Sequence, residues 1–456
     1  MKRTHLLLIA ALCLPCVAGG PDDRADWRGF RGPDGTGFAP GSRPPVEWSE
    51  QRNIRWKVEI PGQGHASPIV LGDRVYVMTA VATDRVAEPA SGEASPPAST
   101  PADGERGARG QRAAPPTNVH EFRVLALDRT SGSVAWSTTV REEVPHEGTH
   151  DTGSLAAASP ITDGERLYAF FGSRGLYCLD LAGRVAWEKD LGDMETRNSF
   201  GEGASPALHG ETLVVPWDHE RQSFVVALDA RTGDEKWRVD RDEPSSWTTP
   251  IVVEVGGAPQ AILAGSNATI AYDLATGAEI WRCSGLTRNV IPTPIAKDGI
   301  VYLTSGFRGQ ALQAIRLAGA AGDLTGTGAI IWSHDRGTPY VPSPLLLDGK
   351  LYFLQSNSAV ISCLDAATGE PHYAQERLEN VGNVYASPVG AASHVYVCGR
   401  EGEMVVLKDG PTLEVVATNH LGQGIDATPA IAGDELYVRG SKHLFCIAET
   451  KPTVGE

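Results

Sequence analysis

The sequence predicts an all-β fold, an eight-bladed β-propeller of four-stranded antiparallel blades. Three observations carry that prediction: a three-residue anchor recurs eight times, each repeat contains two Gly-bearing turns, and a spare strand precedes the series. The anchors are Ala66-Ser67-Pro68, Ala158-Ser159-Pro160, Ala204-Ser205-Pro206 and Thr248-Thr249-Pro250, then Pro292-Thr293-Pro294, Pro342-Ser343-Pro344, Ala386-Ser387-Pro388 and Ala427-Thr428-Pro429. Apart from the first gap, which is about twice as long, they lie about 41 to 50 residues apart, the length of a propeller blade.

After each anchor comes a short apolar stretch and then a tight turn such as Asp163-Gly164, Asp298-Gly299 or Asp348-Gly349. An alternating strand follows (Arg166 to Phe170, Lys350 to Leu354), then a third strand, a second turn and a Trp-bearing strand. Ala227 to Trp237 shows the second half, and Ala126 to Trp136, Ala271 to Trp281 and Cys363 to Tyr373 repeat it. Period-two alternation bounded by Asp and Gly is the pattern of antiparallel hairpins. Pro in the anchor belongs on an edge strand, and the innermost strand of a blade is such an edge, crowded enough to favour Ala, Ser and Thr beside it.

The eighth repeat ends after three strands, near Glu449, while Asn53 to Ile60 carries Trp56 outside any repeat. Pairing the first strand with the last repeat would close the ring and remove its open edges. The propeller is therefore expected to span residues 53–449. Residues 82–119, rich in Pro, Ala, Gly, Ser and charge, read as a disordered insertion that lengthens the first gap. Residues 19–52 form a Gly-rich leader, with Trp27, Phe30 and Arg31, expected across one face.

Lys2 and Arg3 precede an apolar run from Leu6 to Leu14, with small residues at Ala18, Gly19 and Gly20. This is the order of a cleaved secretory signal peptide over residues 1–18, and it implies a periplasmic or extracellular protein. The run is too short for a retained membrane span. Neither Cys13 nor Cys16 follows the small residues of a lipid-attachment signal. Of seven cysteines, two leave with the signal; Cys178, Cys363 and Cys446 occupy third-strand positions that other blades fill with Ala126, Ala227, Ala271 and Ala314, so they read as small packing residues. Of the 456 residues 21% are charged and 41% hydrophobic, an ordinary globular balance, and the net charge of −16 excludes non-specific nucleic-acid binding.

The series Ala/Cys-Leu-Asp-x-x-Thr-Gly-x-x-x-Trp resembles the PQQ-binding-like β-propeller repeat family, which includes quinoprotein alcohol dehydrogenases and a propeller lipoprotein of outer-membrane β-barrel assembly. The resemblance covers nearly all of the chain outside the leader and insertion, and its shared residues hold blades together. It implies inter-blade packing for Trp136, Trp187, Trp237, Trp281 and Trp332. No cofactor is assigned from the residues themselves; the resemblance alone brings PQQ into consideration, with calcium only where PQQ is bound. The adjacent cysteines of the dehydrogenases are missing, and so is a Cys-x-x-Cys-His haem site.

In an up-and-down blade, the first-to-second and third-to-fourth turns share one face. The second-to-third loops and the blade connections share the other, where the loops are longer, so a site is expected there. Its candidate ligand-binding residues are His146, His150, Asp151, Arg197, Glu202, Trp217, Asp218, His219, Trp247, Arg308, Asp335, Arg336, Tyr340, Tyr385, Arg400 and Asp426. His146-Glu147-Gly148-Thr149-His150 matches His-Glu-x-x-His, but zinc proteases carry that motif on a helix, and Gly148 and Gly153 oppose one. No Gly-x-Ser-x-Gly elbow and no phosphate loop is present. The expected function is a monomeric binding or scaffold propeller for an unidentified protein or small molecule; the alternative is a PQQ-dependent dehydrogenase or other enzyme using the same face.

Overall fold

The computed structural model describes residues 26–86 and 114–450, and they form eight four-stranded antiparallel blades arranged in a ring. The blades span residues 69–143, 161–189, 207–241, 251–283, 295–334, 345–377 and 389–420, with an eighth made of 430–448 and the strand Ile54–Glu59. Blade 3 shows the plan, running outward from the axis as Ala207–His209, Thr212–Trp217, Ser223–Asp229 and Glu235–Arg241. Ring closure is as the sequence predicts. Ile54–Glu59 pairs antiparallel with His443–Ala448, and Trp56 lies opposite Cys446. The expected signal peptide lies outside the described residues, as do residues 87–113 of the expected insertion. The ends of that stretch are ladder: the strand Arg74–Val86 pairs with Asn118–Asp128, Ala82 opposite His120 and Val86 opposite Asn118.

The register explains the repeat. In seven blades a second-strand residue faces a small third-strand residue, which faces the fourth-strand aromatic: Tyr168, Cys178 and Trp187 in blade 2, or Tyr76, Ala126 and Trp136 in blade 1; in blade 7 Tyr396 faces Val406, which faces Ala417. A larger third-strand residue would push the rings apart. Among the described residues all five cysteines are buried and unpaired, and burial pushes the Cys178, Cys363 and Cys446 thiols, which fill this slot, up to about 12.

The Trp residues also couple neighbours. The indole N–H of Trp136 donates to Leu181 O (3.0 Å), that of Trp187 to Ala230 O (3.1 Å) and that of Trp237 to Leu274 O (2.8 Å), each in the third-to-fourth turn of the next blade. Trp56 and Trp332 do the same, to Arg129 O and Ala366 O. Trp281 departs from the pattern and bonds Gln260 Oε1 inside its own blade. Its neighbour explains the departure: in blade 5 that turn is a long loop, and its Gly322–Asp323 segment instead adds a parallel strand to the outer edge of blade 4.

Two residues beyond the Tyr position, on the same strand face, a second slot looks into the space between blades. Met78, Phe170, Pro216, Ala264, Leu354 and Cys398 fill it with apolar groups, and Thr304 fills it with a hydroxyl bonded to Ala311 O. Blade 8 places Arg439 there.

The leader straps the ring on the Asp-Gly-turn face. Trp27 bridges to Val70 in blade 1, Thr162 N in blade 2 donates to Arg28 O, and Leu346 N in blade 6 donates to Thr36 O. Phe38–Ala39 adds a parallel strand to the inner edge of blade 7, and Asn419 of that blade clasps Val46 O and Trp48 N. At the centre the buried Arg31 guanidinium donates to Pro388 O (2.9 Å) and Pro344 O (2.5 Å), carbonyls that follow two anchor serines. Gly37, at φ +83°, is fixed twice over, because a Cβ there would sit 2.1 Å from the Arg31 guanidinium.

Candidate functional site

The anchors build the wall of an axial channel. The backbone N–H of each anchor Ser or Thr donates to the hydroxyl of the next blade's anchor: Ser67 to Ser159, Ser159 to Ser205, Ser205 to Thr249, Thr249 to Thr293, Thr293 to Ser343, Ser343 to Ser387 and Ser387 to Thr428. Pro next in the chain lacks an N–H, so the inner edge loses no further donor there. Seven of the eight hydroxyls, all but that of Ser67, thus spend a lone pair on a neighbour and still have a proton to donate. Among the described residues the ring of bonds stays open at one junction, from Thr428 in blade 8 to Ser67 in blade 1.

The channel opens on the face of long loops into a cavity of about 460 Å³, floored by Phe30 of the leader and walled by the eight anchor hydroxyls. Around its mouth stand Phe200, Trp247, Phe307, Tyr340 and Tyr385, with His65 and His150 between them. These rings are held in place. Phe307 stacks on Tyr340 at 5.0 Å, the Trp247 indole donates to Gly201 O (2.7 Å), and the Tyr385 hydroxyl accepts from Asn357 Nδ2 while Arg400 lies over its ring at 4.5 Å. Fixed aromatic faces above a ring of hydroxyls suit a ligand with an apolar body and polar groups.

Of the sixteen candidates, six line this cavity: His150, Glu202, Trp247, Tyr340, Tyr385 and Asp426. Arg400 stands behind them, holding Asp426 through two bonds of 2.5 and 3.2 Å. The others go elsewhere. Trp217 ends a strand and is buried in the core, stacked on Phe224 at 5.6 Å. Asp218 is buried under Arg241 (2.8 and 3.2 Å) and Ser246, and His219 is buried with its ring nitrogens on Glu195 N and Gln222 O. Arg197 and Arg308 line a separate groove with Arg288. Asp151, Asp335 and Arg336 are exposed and outside the mouth.

The two histidines of His-Glu-x-x-His diverge. His146 Nε2 meets Met194 O (2.7 Å), His150 packs edge-on against Phe200, and Glu147 accepts from Thr196. No helix forms there. Sequence reasoning missed His65, Phe200 and Phe307, isolated aromatic residues whose place depends on the ring closing. It also missed the shared hydroxyl chemistry of the anchor, visible in the sequence as Ser or Thr at every second anchor position.

Acids at the mouth are already spoken for. Glu202 accepts from Ser173 N, Ser173 Oγ and Arg174 (2.6, 2.6 and 2.9 Å), and Asp426 serves Arg400 and stands 3.7 Å from His65 Nε2. Burial lowers the His65 pKa, and the Arg400 and Arg439 charges add to that against Asp426. Both carboxylates on this wall are thus engaged by arginines.

A family model described as "Outer membrane protein assembly factor BamB" matches residues 41–207 and 221–451. The chain belongs to this family. Its BamB-like sequence is 22% identical over 328 residues to the outer membrane protein assembly factor BamB of Yersinia pestis, covering 69% of this chain and 77% of that protein. The BamB crystal structure from Moraxella catarrhalis is 15% identical, with a TM-score of 0.53 over 83% of this chain and all of that one. A europium-containing methanol dehydrogenase is 12% identical, with a TM-score of 0.62 over 92% of this chain and 90% of the other. At such identities the structural likenesses establish the propeller fold.

The resemblance to quinoprotein dehydrogenases implies calcium wherever PQQ is bound, and the mouth does not fit that metal. Calcium needs six to eight converging oxygens. Among the described residues no group of three or more His, Cys, Asp or Glu converges, and the carboxylates at the mouth, Glu202 and Asp426, stand at different blade junctions, each tied to an Arg.

Proposed function

We propose that this chain is an exported, non-catalytic binding scaffold of outer-membrane protein assembly that takes hold of a protein partner at the aromatic mouth of its channel. The observation that carries the reading is the mouth itself. It offers fixed aromatic faces and hydroxyl donors, while its acids are consumed by neighbouring arginines and backbone amides. Family membership supports the same reading, since the family model and two of the curated relatives are named as assembly factors. The signal sequence directs the chain to the periplasm or beyond, and it works there as a monomer.

The test is reconstitution. Purified mature protein is incubated with PQQ and calcium, desalted, and assayed for a retained quinone band and dye-linked alcohol oxidation. The scaffold reading expects neither. Stoichiometric quinone with turnover would overturn it in favour of a dehydrogenase.

A further inference from the structure

Arg439 sits at the end of the strand Glu435–Arg439, on the face that carries Tyr437 toward blade 1. It is 1% exposed, and none of its three guanidinium nitrogens has a hydrogen-bond partner. The equivalent slot in the other seven blades holds an apolar residue or the bonded hydroxyl of Thr304. Desolvation alone, with no carboxylate opposing it, depresses its pKa to about 10. A buried cation left without a counter-charge is among the costliest arrangements in a protein interior.

Two further features mark the same seam. The junction of blade 8 with blade 1 is the one at which the anchor hydrogen-bond ring stays open. His65, which precedes the blade 1 anchor at this seam, lines the channel cavity, and the Arg439 charge is among the influences that lower its pKa. Asp426, the carboxylate beside His65, pairs with Arg400 through both oxygens and makes no bond to Arg439.

We propose that the seam between blades 8 and 1 is a binding subsite for a compact oxyanion, a carboxylate or a phosphate, which enters from the channel mouth beside His65 and is held by the Arg439 guanidinium. The planar donor fork of Arg matches two oxygens of either group. The subsite stands apart from the scaffold reading, since it needs no protein partner.

The experiment uses full-length mature protein at constant ionic strength, with chloride replaced stepwise by acetate or by phosphate. The thermal midpoint of the native protein is expected to rise and saturate in the millimolar range with at least one of the two, and the more effective anion identifies the source. In Arg439→Met, the apolar filling of the other blades, the midpoint without either anion is expected to equal or exceed that of the native protein, and the saturable rise is lost. The remaining drift is the general stabilising effect of excluded salts. An identical response in R439M, or none in the native protein, overturns the proposal. Should R439M fail to fold, native protein labelled with [15N]arginine supplies the readout: a saturable shift of one slowly exchanging Nε–H resonance on adding either anion supports the subsite, and no shift overturns it.

Discussion

At the scale of single residues, the repeat is a set of paired constraints. Asp229 Oδ1 accepts from Arg231 N and Thr232 N (2.9 and 3.1 Å), which shapes the turn, and Gly233 closes it at φ +78° against the Trp187 ring. A Cβ at Gly233 would stand 2.9 Å from that ring. Gly233→Ala is therefore expected to cost about 1–3 kcal/mol, through left-handed backbone strain and a displaced indole, read as a lower urea midpoint. Hydrogen bonds from the turn amides likewise hold Asp128 and Asp180 below the usual carboxylate range, and they offset desolvation at Asp229 with the same result. A depressed folded-state pKa adds stability above the unfolded value, and that stability is lost as pH falls through the folded one. The thermal midpoint should thus hold from neutrality to roughly pH 5 and fall progressively below about 4. The turns and the small third-strand positions were legible because each residue type answers a local geometric demand. The fate of Trp217-Asp218-His219 was not: three adjacent polar or aromatic residues look like a loop site, yet whether a side chain faces the core or the mouth depends on where its strand ends.

At the scale of elements, the closing strand and the leader do different work. Ile54–Glu59 supplies the outer strand of blade 8 and the indole that bonds Arg129 O in blade 1. Deleting residues 54–60 should leave His443–Ala448 as a raw edge and abolish a cooperative melt near the native midpoint, as followed by circular dichroism; an unchanged midpoint would refute closure by this strand. This pairing was readable because a three-stranded last repeat and an orphan Trp strand fit together. The leader was readable only as something lying across a face. Its central device, Arg31 donating to the Pro344 and Pro388 carbonyls, has no sequence signature, because its partners lie more than 300 residues away. Arg31→Ala is expected to cost about 2–4 kcal/mol in chemical denaturation, from lost charge-assisted bonds and the space left behind.

At the scale of the whole molecule, eight similar blades give a rigid ring with two unlike ends. The strap closes one end, with Phe30 as the floor, and the long loops leave the other open as an aromatic mouth. The sequence separated these faces by loop length alone, and six of its sixteen candidates stand on the mouth. The rest of the mouth was hidden because its residues come one or two per blade and meet only when the ring closes. The proposed function rests on that asymmetry, with partner contact assigned to the open end and stability to the strapped one. Photo-crosslinking in cells that produce the protein tests this most directly, with a photoreactive residue placed at Tyr385 or Trp247 on the mouth, or at Asp298 on the strapped face. Discrete protein adducts from the mouth positions and none from Asp298 are the predicted result. Adducts from Asp298 alone, or none at the mouth in a protein that instead retains stoichiometric quinone, would contradict it.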